Sequence, residues 1–276
     1  MQEKLRLAKT GDINAYHELF SGFQKELKAF IYRLVADRSD ADDLTHDSFI
    51  KSFSKIRTFN EKSSLKTWVF SIASNLCLDF LRKRNRWSVY SQDKSRAFAE
   101  TNMDVEEALI RTNKYSLNGV YEIKEHIDFC FTCMTKTLPL EQQITLILKD
   151  IYGFTVTEIA EIISRSPGVV KHLLHDARKT MMVIFDDRCA LISKKGVCHQ
   201  CSELNGYFNP KQKTQEELMK MQLVKEAGVL DIEQLYFLRA NLVSNINPLT
   251  SRGTNLHEVF MQITRKVEGE ISKIDY

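Results

Sequence analysis

The segment from Leu65 to Arg86, LKTWVFSIASNLCLDFLRKRNR, constrains this chain more than any other. Apolar residues recur at Leu65, Trp68, Val69, Ile72, Ala73, Leu76, Cys77, Phe80 and Leu81, the spacing of one helical face. The other face carries Lys66, Thr67, Ser71, Asn75 and Asp79, groups that hydrogen-bond more than they charge. The helix then runs into Arg82, Lys83, Arg84 and Arg86. A polar reading face with a cationic end suits nucleic acid. It equally suits an amphipathic core helix with a solvated basic end, and the segment alone leaves both open.

A net charge of only +3 means that any nucleic-acid surface must come from local clustering. A length of 276 residues allows two domains or three small ones. No apolar run approaches membrane-spanning length, and MQEKLRLAKTGD at the start lacks a signal-peptide core, so a soluble, cytoplasmic protein is expected. There, six cysteines point to buried thiols, metal ligands or a redox pair before structural disulfides. Glycine and proline are scarce and helical periodicity is widespread, which favours an all-α fold.

The periodicity divides the chain into four segments. Residues 12–36 form a helix that Asp12 can cap, with Ala15, Leu19, Phe20, Phe23, Leu27, Phe30, Ile31 and Leu34 on its apolar face. A second helix is expected to open at Ser39-Asp40-Ala41-Asp42 with a capping box and to bury Leu44, Phe49, Phe53 and Ile56. Ser64 can cap the third, and together these make a helical domain over 1–90. Residues 91–120 lose periodicity and are expected to be a flexible linker, with one weak helical stretch near Val105–Ile110. A second helical domain spans 121–188. Pro139 opens a helix that runs to Tyr152 before Gly153, Thr155-Val156-Thr157-Glu158 is a capping box, and Ser166-Pro167 opens a helix through about Phe185. Two helices joined at Ser164–Ser166 form a helix-turn-helix. The extension, 189–276, shows helical stretches near 214–227, 231–243 and 255–272, the last with a stripe of Leu256, Val259, Phe260, Ile263, Val267 and Ile271.

A helix-turn-helix presents its second helix to a major groove, and here Arg165, Ser166, Lys171, His172, His175, Arg178 and Lys179 supply donors for phosphates and base edges. An ordinary helical hairpin with a charged outer face has the same pattern. Two Cys-x-x-Cys pairs, Cys130–Cys133 and Cys198–Cys201, match the ligand spacing of a structural zinc site that would staple the extension to the second domain. A redox thiol pair and idle buried thiols are the competing readings. Cys77, on an apolar helix face, reads as core.

The order of these features is more specific than any of them. DADDLTHDSFIKSFSKIRTF (40–59), SSLKTWVFSIASNLCLDFLRKRNR (63–86) and LPLEQQITLILKDIYGFTVTEIAEIISRSPGVVKHLLHDAR (138–178) resemble regions 2.1–2.4 and 4.1–4.2 of bacterial RNA polymerase sigma factors of the extracytoplasmic-function class. The resemblance covers about 1–90 and 121–185. It implies a transcription initiation factor that binds core RNA polymerase, through the β′ clamp and the β flap, and promoter DNA. An anti-sigma factor or another DNA-bound recruiting protein is a further implied partner.

Residue by residue, the resemblance assigns clamp binding to Asp42, Asp43, Leu44, Asp47, Phe49 and Ile50. A mixed apolar and acidic patch suits docking on a basic helical partner, and one of Leu44 and Phe49 is expected to be mainly core. It assigns −10 recognition and melting to Phe59, Asn60, Lys62, Lys66, Ser71, Asn75, Arg82, Lys83, Arg84 and Arg86. Opening a duplex requires capture of unstacked bases and cations along the strand. Trp68 is read as packing, and Asp79 as orienting Arg82 or Lys83. In the recognition helix the family's Thr- and Arg-rich positions are occupied by Val169, Leu173 and Asp176, of which two cannot donate hydrogen bonds and one repels phosphate. Each lost contact costs about 1–3 kcal/mol of discrimination, so weak or unusual −35 recognition is expected.

No nucleophile–base set, Gly-rich phosphate loop or paired carboxylates point to an enzyme. A helix-turn-helix regulator acting without core polymerase is the alternative, and the acidic start of the 40–57 helix speaks against it. A thiol or metal sensor acting through protein contacts rests on the cysteine pairs alone.

Overall fold

The computed structural model describes residues 2–105, 107, 123–188, 230–250 and 254–274. Among them there are helices and no strands. They fall into two compact units that cut across the segments expected above. One joins Met1–Arg84 with Leu140–Leu174, and the other joins Asn85–Pro139 with His175–Tyr276.

In the first unit, α1 (Gln2–Thr10) and α3 (Arg38–Ser54) pack on the long α2 (Ile13–Val35), and α4 (Leu65–Leu81) packs on both α2 and α3. Asp12 caps α2 by accepting from the amides of Asn14 and Ala15. Ala36 ends α2 in the left-handed region, at φ +59°, and extended Asp37 leads straight into α3. The cap of α3 is therefore Asp37, which accepts from the Asp40 amide at 2.8 Å, and not the Ser39 box expected from sequence. The buried face of α3 is Ala41, Leu44, Thr45, Ser48 and Ser52. Thr45 and Ser48 donate to carbonyls one turn back, at 2.6 Å each, which satisfies hydroxyls that close helix packing removes from water. Tyr16 donates to Ser52 across the same contact, and burial pushes its phenol up to about 12. Phe49 and Phe53 are half-buried in a ring cluster with Tyr16 and Phe20.

Ser64 caps α4 as expected, accepting from Thr67 N–H at 3.0 Å. Val69, Phe70, Ala73, Cys77 and Leu81 are buried, and burial pushes the Cys77 thiol up to about 12. The rest of this unit is a helical hairpin. Helix α7 (Leu140–Leu146) continues into a wide π turn, Ile147–Ile151, before Gly153 at φ +72°. A capping box between Thr155 and Glu158 opens α8 (Val156–Ile162). Ser164 turns the chain at φ +53°, and the Ser166 hydroxyl accepts from the Val169 amide at 3.3 Å at the start of α9 (Pro167–Arg188).

In the second unit, residues expected to be linker form α5 (Ser91–Glu100). Its buried positions are Ser91, Gln92, Ser95 and Ala99, an inconspicuous face that becomes helical because α11 (Thr254–Val267) covers it. Helix α6 (Ile123–Thr135) packs on α10 (Ile232–Ser244), with Phe131 against Tyr236 at 6.5 Å and Phe185 at 5.9 Å between ring centres. Phe129 stacks on His257 at 5.3 Å and meets Phe260 at 5.9 Å. The helical stretch expected near 214–227 lies outside the described residues, and those near 231–243 and 255–272 correspond to α10 and α11.

Candidate polymerase and promoter interfaces

Helix α3 turns its carboxylates outward. Asp42, Asp43 and Asp47 are exposed, and Ile50 is 50% exposed beside them. Leu44 is 7% exposed and belongs to the core, while Phe49 sits half-buried at the edge. A groove of about 550 Å³ opens here, lined among others by His17, Phe20, Asp42, Asp43, His46 and Phe49. Lys28 pairs with Asp42, and Asp43 and Asp47 are exposed on the same side of the helix. An apolar floor rimmed by carboxylates can take a helix that carries basic and apolar residues.

The expected −10 residues do not share one environment. Asn60, Lys62, Asn75, Arg82 and Lys83 are exposed. Ser71 is half-buried, and its hydroxyl donates to the Trp68 carbonyl at 2.7 Å. Arg82 donates to Asp79 at 2.8 Å, the orienting contact expected of that pair. Arg84 reaches Asp40 at 3.2 Å and lies over the Phe80 ring at 4.2 Å. Phe59, expected on the DNA face, is 4% exposed; its ring packs on Trp68 at 5.2 Å and under the Lys9 ammonium at 5.6 Å. Lys66 is half-buried, paired with Glu26 at 2.5 Å and set 4.9 Å over the Phe154 ring.

Lys66 introduces a contact that local spacing does not reveal. One flank of α4 lies against α8 and the turn before it. Phe70 meets Phe154 at 4.9 Å between ring centres, Phe30 meets Tyr152 at 5.9 Å, and Thr67, 1% exposed, donates to Glu158 at 3.4 Å. Thr67 is thus interior although it falls on the polar face in sequence. The Thr155 amide that Glu158 accepts, and then the Thr155 and Thr67 hydroxyls and the charge of Lys66, hold its carboxyl below the ordinary value.

Within the helix-turn-helix, Arg165 is held by Glu141, donating at 2.7 and 3.3 Å. Ser166 is the cap of α9, and Lys171, His172, His175 and Lys179 are exposed. Val169 is 41% exposed, and Asp176 is exposed as well. In the second unit Arg178 lies over the Phe237 ring at 5.1 Å. There, Arg86 and Lys179 line one open cleft of about 740 Å³ with Trp87, Val89, Val183 and Ile184.

Cys130 and Cys133 are buried free thiols one turn apart on α6, and the Cys133 sulfur lies 4.0 Å from that of Met261. Cys198 and Cys201 lie outside the described residues. Among the described residues no cluster of three or more His, Cys, Asp or Glu side chains has metal-binding geometry. No described helix is long and apolar enough to cross a membrane.

Comparison with known proteins gives two family matches, in the order expected from sequence. The family profile Sigma-70 region 2 matches residues 19–87, and Sigma-70, region 4 matches residues 128–181. The chain is 23% identical over 185 residues to ECF RNA polymerase sigma factor SigW of Bacillus subtilis, covering 66% of this chain and 94% of SigW. It is 27% identical over 183 residues to ECF RNA polymerase sigma factor SigG of Mycobacterium tuberculosis, covering 63% of this chain and 49% of SigG. The sigma factor RpoE of Bartonella quintana, solved with the anti-sigma factor NepR, superposes with a TM-score of 0.43 at 20% identity, covering 62% of this chain and 96% of RpoE. Residues 19–87 and 128–181 are thus regions 2 and 4 of the sigma-70 family, and the relatives that match about two thirds of the chain are RNA polymerase sigma factors of the extracytoplasmic-function class. The function of the chain is promoter-specific initiation of transcription, and its partners are core RNA polymerase and promoter DNA.

Proposed function

We propose that the work of initiation is divided among three surfaces of this chain. The groove on α3, with Asp42, Asp43, Asp47, Ile50 and the edge of Phe49, docks on the polymerase clamp. The observation that carries this is the exposed Asp43–Asp47–Ile50 row, carboxylates with an apolar side chain 50% exposed beside them and the groove edged by Phe49 next to it, a mixed acidic and apolar surface suited to a basic helical partner. Asn75, Asn60, Lys62, Arg82, Lys83 and Arg86 take the −10 strands, with Asp79 fixing Arg82. Phe59 acts from beneath, as packing for Trp68. The −35 face is weak, because Val169 stands exposed and Glu141 occupies Arg165. Recruitment by another DNA-bound protein compensates.

The chain carries out no bond chemistry of its own and works in the cytoplasm, where RNA polymerase is. An anti-sigma factor, a partner that the family resemblance implies, is an expected regulator. A zinc ion held by Cys130, Cys133, Cys198 and Cys201 is a separate expectation, supported by the same-face, buried placement of the first two. Metal analysis of protein purified under reducing conditions tests it: one equivalent of zinc is expected, and none rejects it.

Capture of core RNA polymerase by the full chain, with wild type beside Asp43→Arg/Asp47→Arg, tests the assignment of α3. The double variant is expected to bind at least about tenfold more weakly with unchanged thermal stability. Equal binding would remove α3 from the interface.

A further inference from the structure

The family resemblance ends near residue 181, and α11, the last described helix, is tied back to the segment between the two family regions. The ties are carboxylates. Glu270 is 3% exposed at its side chain and meets Lys136 at 3.5 Å and Arg265 at 3.3 Å, themselves 4% and 6% exposed. Trp87 donates its indole N–H to Glu270 at 2.6 Å. Lys136 lies 4.7 Å over the Trp87 ring, and the Trp87 amide donates to the Lys136 carbonyl at 3.1 Å. Close by, Glu268 accepts from the Ser88 amide at 3.1 Å and from Lys94 at 3.0 Å, and Ser95 donates to Thr264 at 3.1 Å.

Trp87 is the last residue of the region 2 match, and Lys136 lies inside the region 4 match. Glu270 therefore fastens the end of one promoter-binding region to the beginning of the other. We infer that the segment from Thr254 to Glu270 is an intramolecular latch that holds the sigma factor in a closed, initiation-incompetent form, with Glu270 as its bolt. This inference rests on the sigma-factor function stated above.

The reason is reach. By their positions the −10 and −35 elements lie about 25 base pairs apart, or about 85 Å at ~3.4 Å per pair. Domains of this size have radii of gyration of about 10 Å, so two held in contact span roughly 55 Å. A chain whose residues 87 and 136 share a hydrogen bond cannot serve both elements at once. Freed, the ~50 residues between them extend to well over 100 Å. The seam of Phe70 on Phe154 closes in the same sense, since it sets a region 2 helix against the region 4 hairpin.

The chemistry of the bolt suits a switch better than a permanent joint. A buried carboxylate shared by an ammonium, a guanidinium and an indole is stable only while all remain together. Neutralising it leaves Lys136 and Arg265 without that counter-charge in the closed form, whereas both are hydrated in the open one. Glu270→Gln, which keeps size and hydrogen-bonding capacity, is thus expected to favour opening without disturbing the core.

The test uses the full chain, wild type and Glu270→Gln, with two readouts. Hydrogen exchange of the 87–99 amides reads the latch in the absence of polymerase, and at least about tenfold faster exchange is expected in the variant. Initiation from a linear promoter by core polymerase saturated with each protein is expected to rise at least about threefold. Faster exchange with initiation unchanged or lower overturns the latch and leaves the 254–270 segment a structural support; unchanged exchange overturns it outright. Failure of both proteins to bind core polymerase overturns the sigma-factor reading, and the latch with it, whereas binding without the rise overturns the latch alone.

Discussion

Phe154 packs on Phe70 with 4.9 Å between ring centres, and through that contact the turn before α8 rests on helix α4. Phe154 is 4% exposed, so its truncation removes most of the seam at once. Phe154→Ala is expected to cost about 3–5 kcal/mol in urea or thermal unfolding. A loss under about 1 kcal/mol would mean that the seam does not form in solution.

Asn75 stands exposed on α4, and no core contact depends on it. Asn75→Ala is expected to leave stability within about 0.5 kcal/mol of wild type while relaxing base preference in the −10 element by about 1–3 kcal/mol. Lys83→Ala is expected to behave differently, weakening binding to all sequences alike and lowering the salt slope by about one. Competition binding with a −10 library at two salt concentrations separates the two.

Asp37 opens α3 at a junction with no spare residue, directly after the left-handed Ala36. Asp37→Ala is expected to cost about 1 kcal/mol, and Ser39→Ala almost nothing. Denaturation of the two variants side by side checks which residue is the cap.

Glu158 gives a pH signature. Its folded-state carboxyl is held below the ordinary value, first by the Thr155 amide, so its contribution to stability is present above about pH 4.3 and is lost as the pH falls through its folded-state value. The Glu158→Ala protein is expected to be less stable at neutral pH and to lose less of its stability between about pH 5 and 3. Parallel curves for the two proteins would reject the cap as a titrating contact.

Much of the fold was legible because it is local. Ser64, Thr155 with Glu158, and Ser166 with Pro167 announce helix starts within four residues, and each cap is where its spacing puts it. The acidic outer row of α3 is local as well. What escaped depends on partners distant in sequence. The positions α5 buries are serine, glutamine and alanine, with no apolar stripe, and its partner helix begins more than 150 residues later. Nothing in the local sequence marks Glu268 and Glu270, whose partners Lys94, Lys136 and Arg265 include two that lie more than 130 residues earlier. Phe59 follows a 3₁₀ turn, where no periodicity says whether an aromatic ring points in or out. Thr67 and Lys66 fall on the polar face of α4 by spacing and are covered only because α8 returns to that flank.

The most direct test of the central claim is permanganate mapping of unpaired thymines on genomic promoter fragments incubated with core RNA polymerase and the full chain. Reactive thymines about 10 base pairs upstream of the start site are expected only when both proteins are present, and fewer with Asn75→Ala. Core polymerase that binds the chain yet leaves every fragment closed would contradict it.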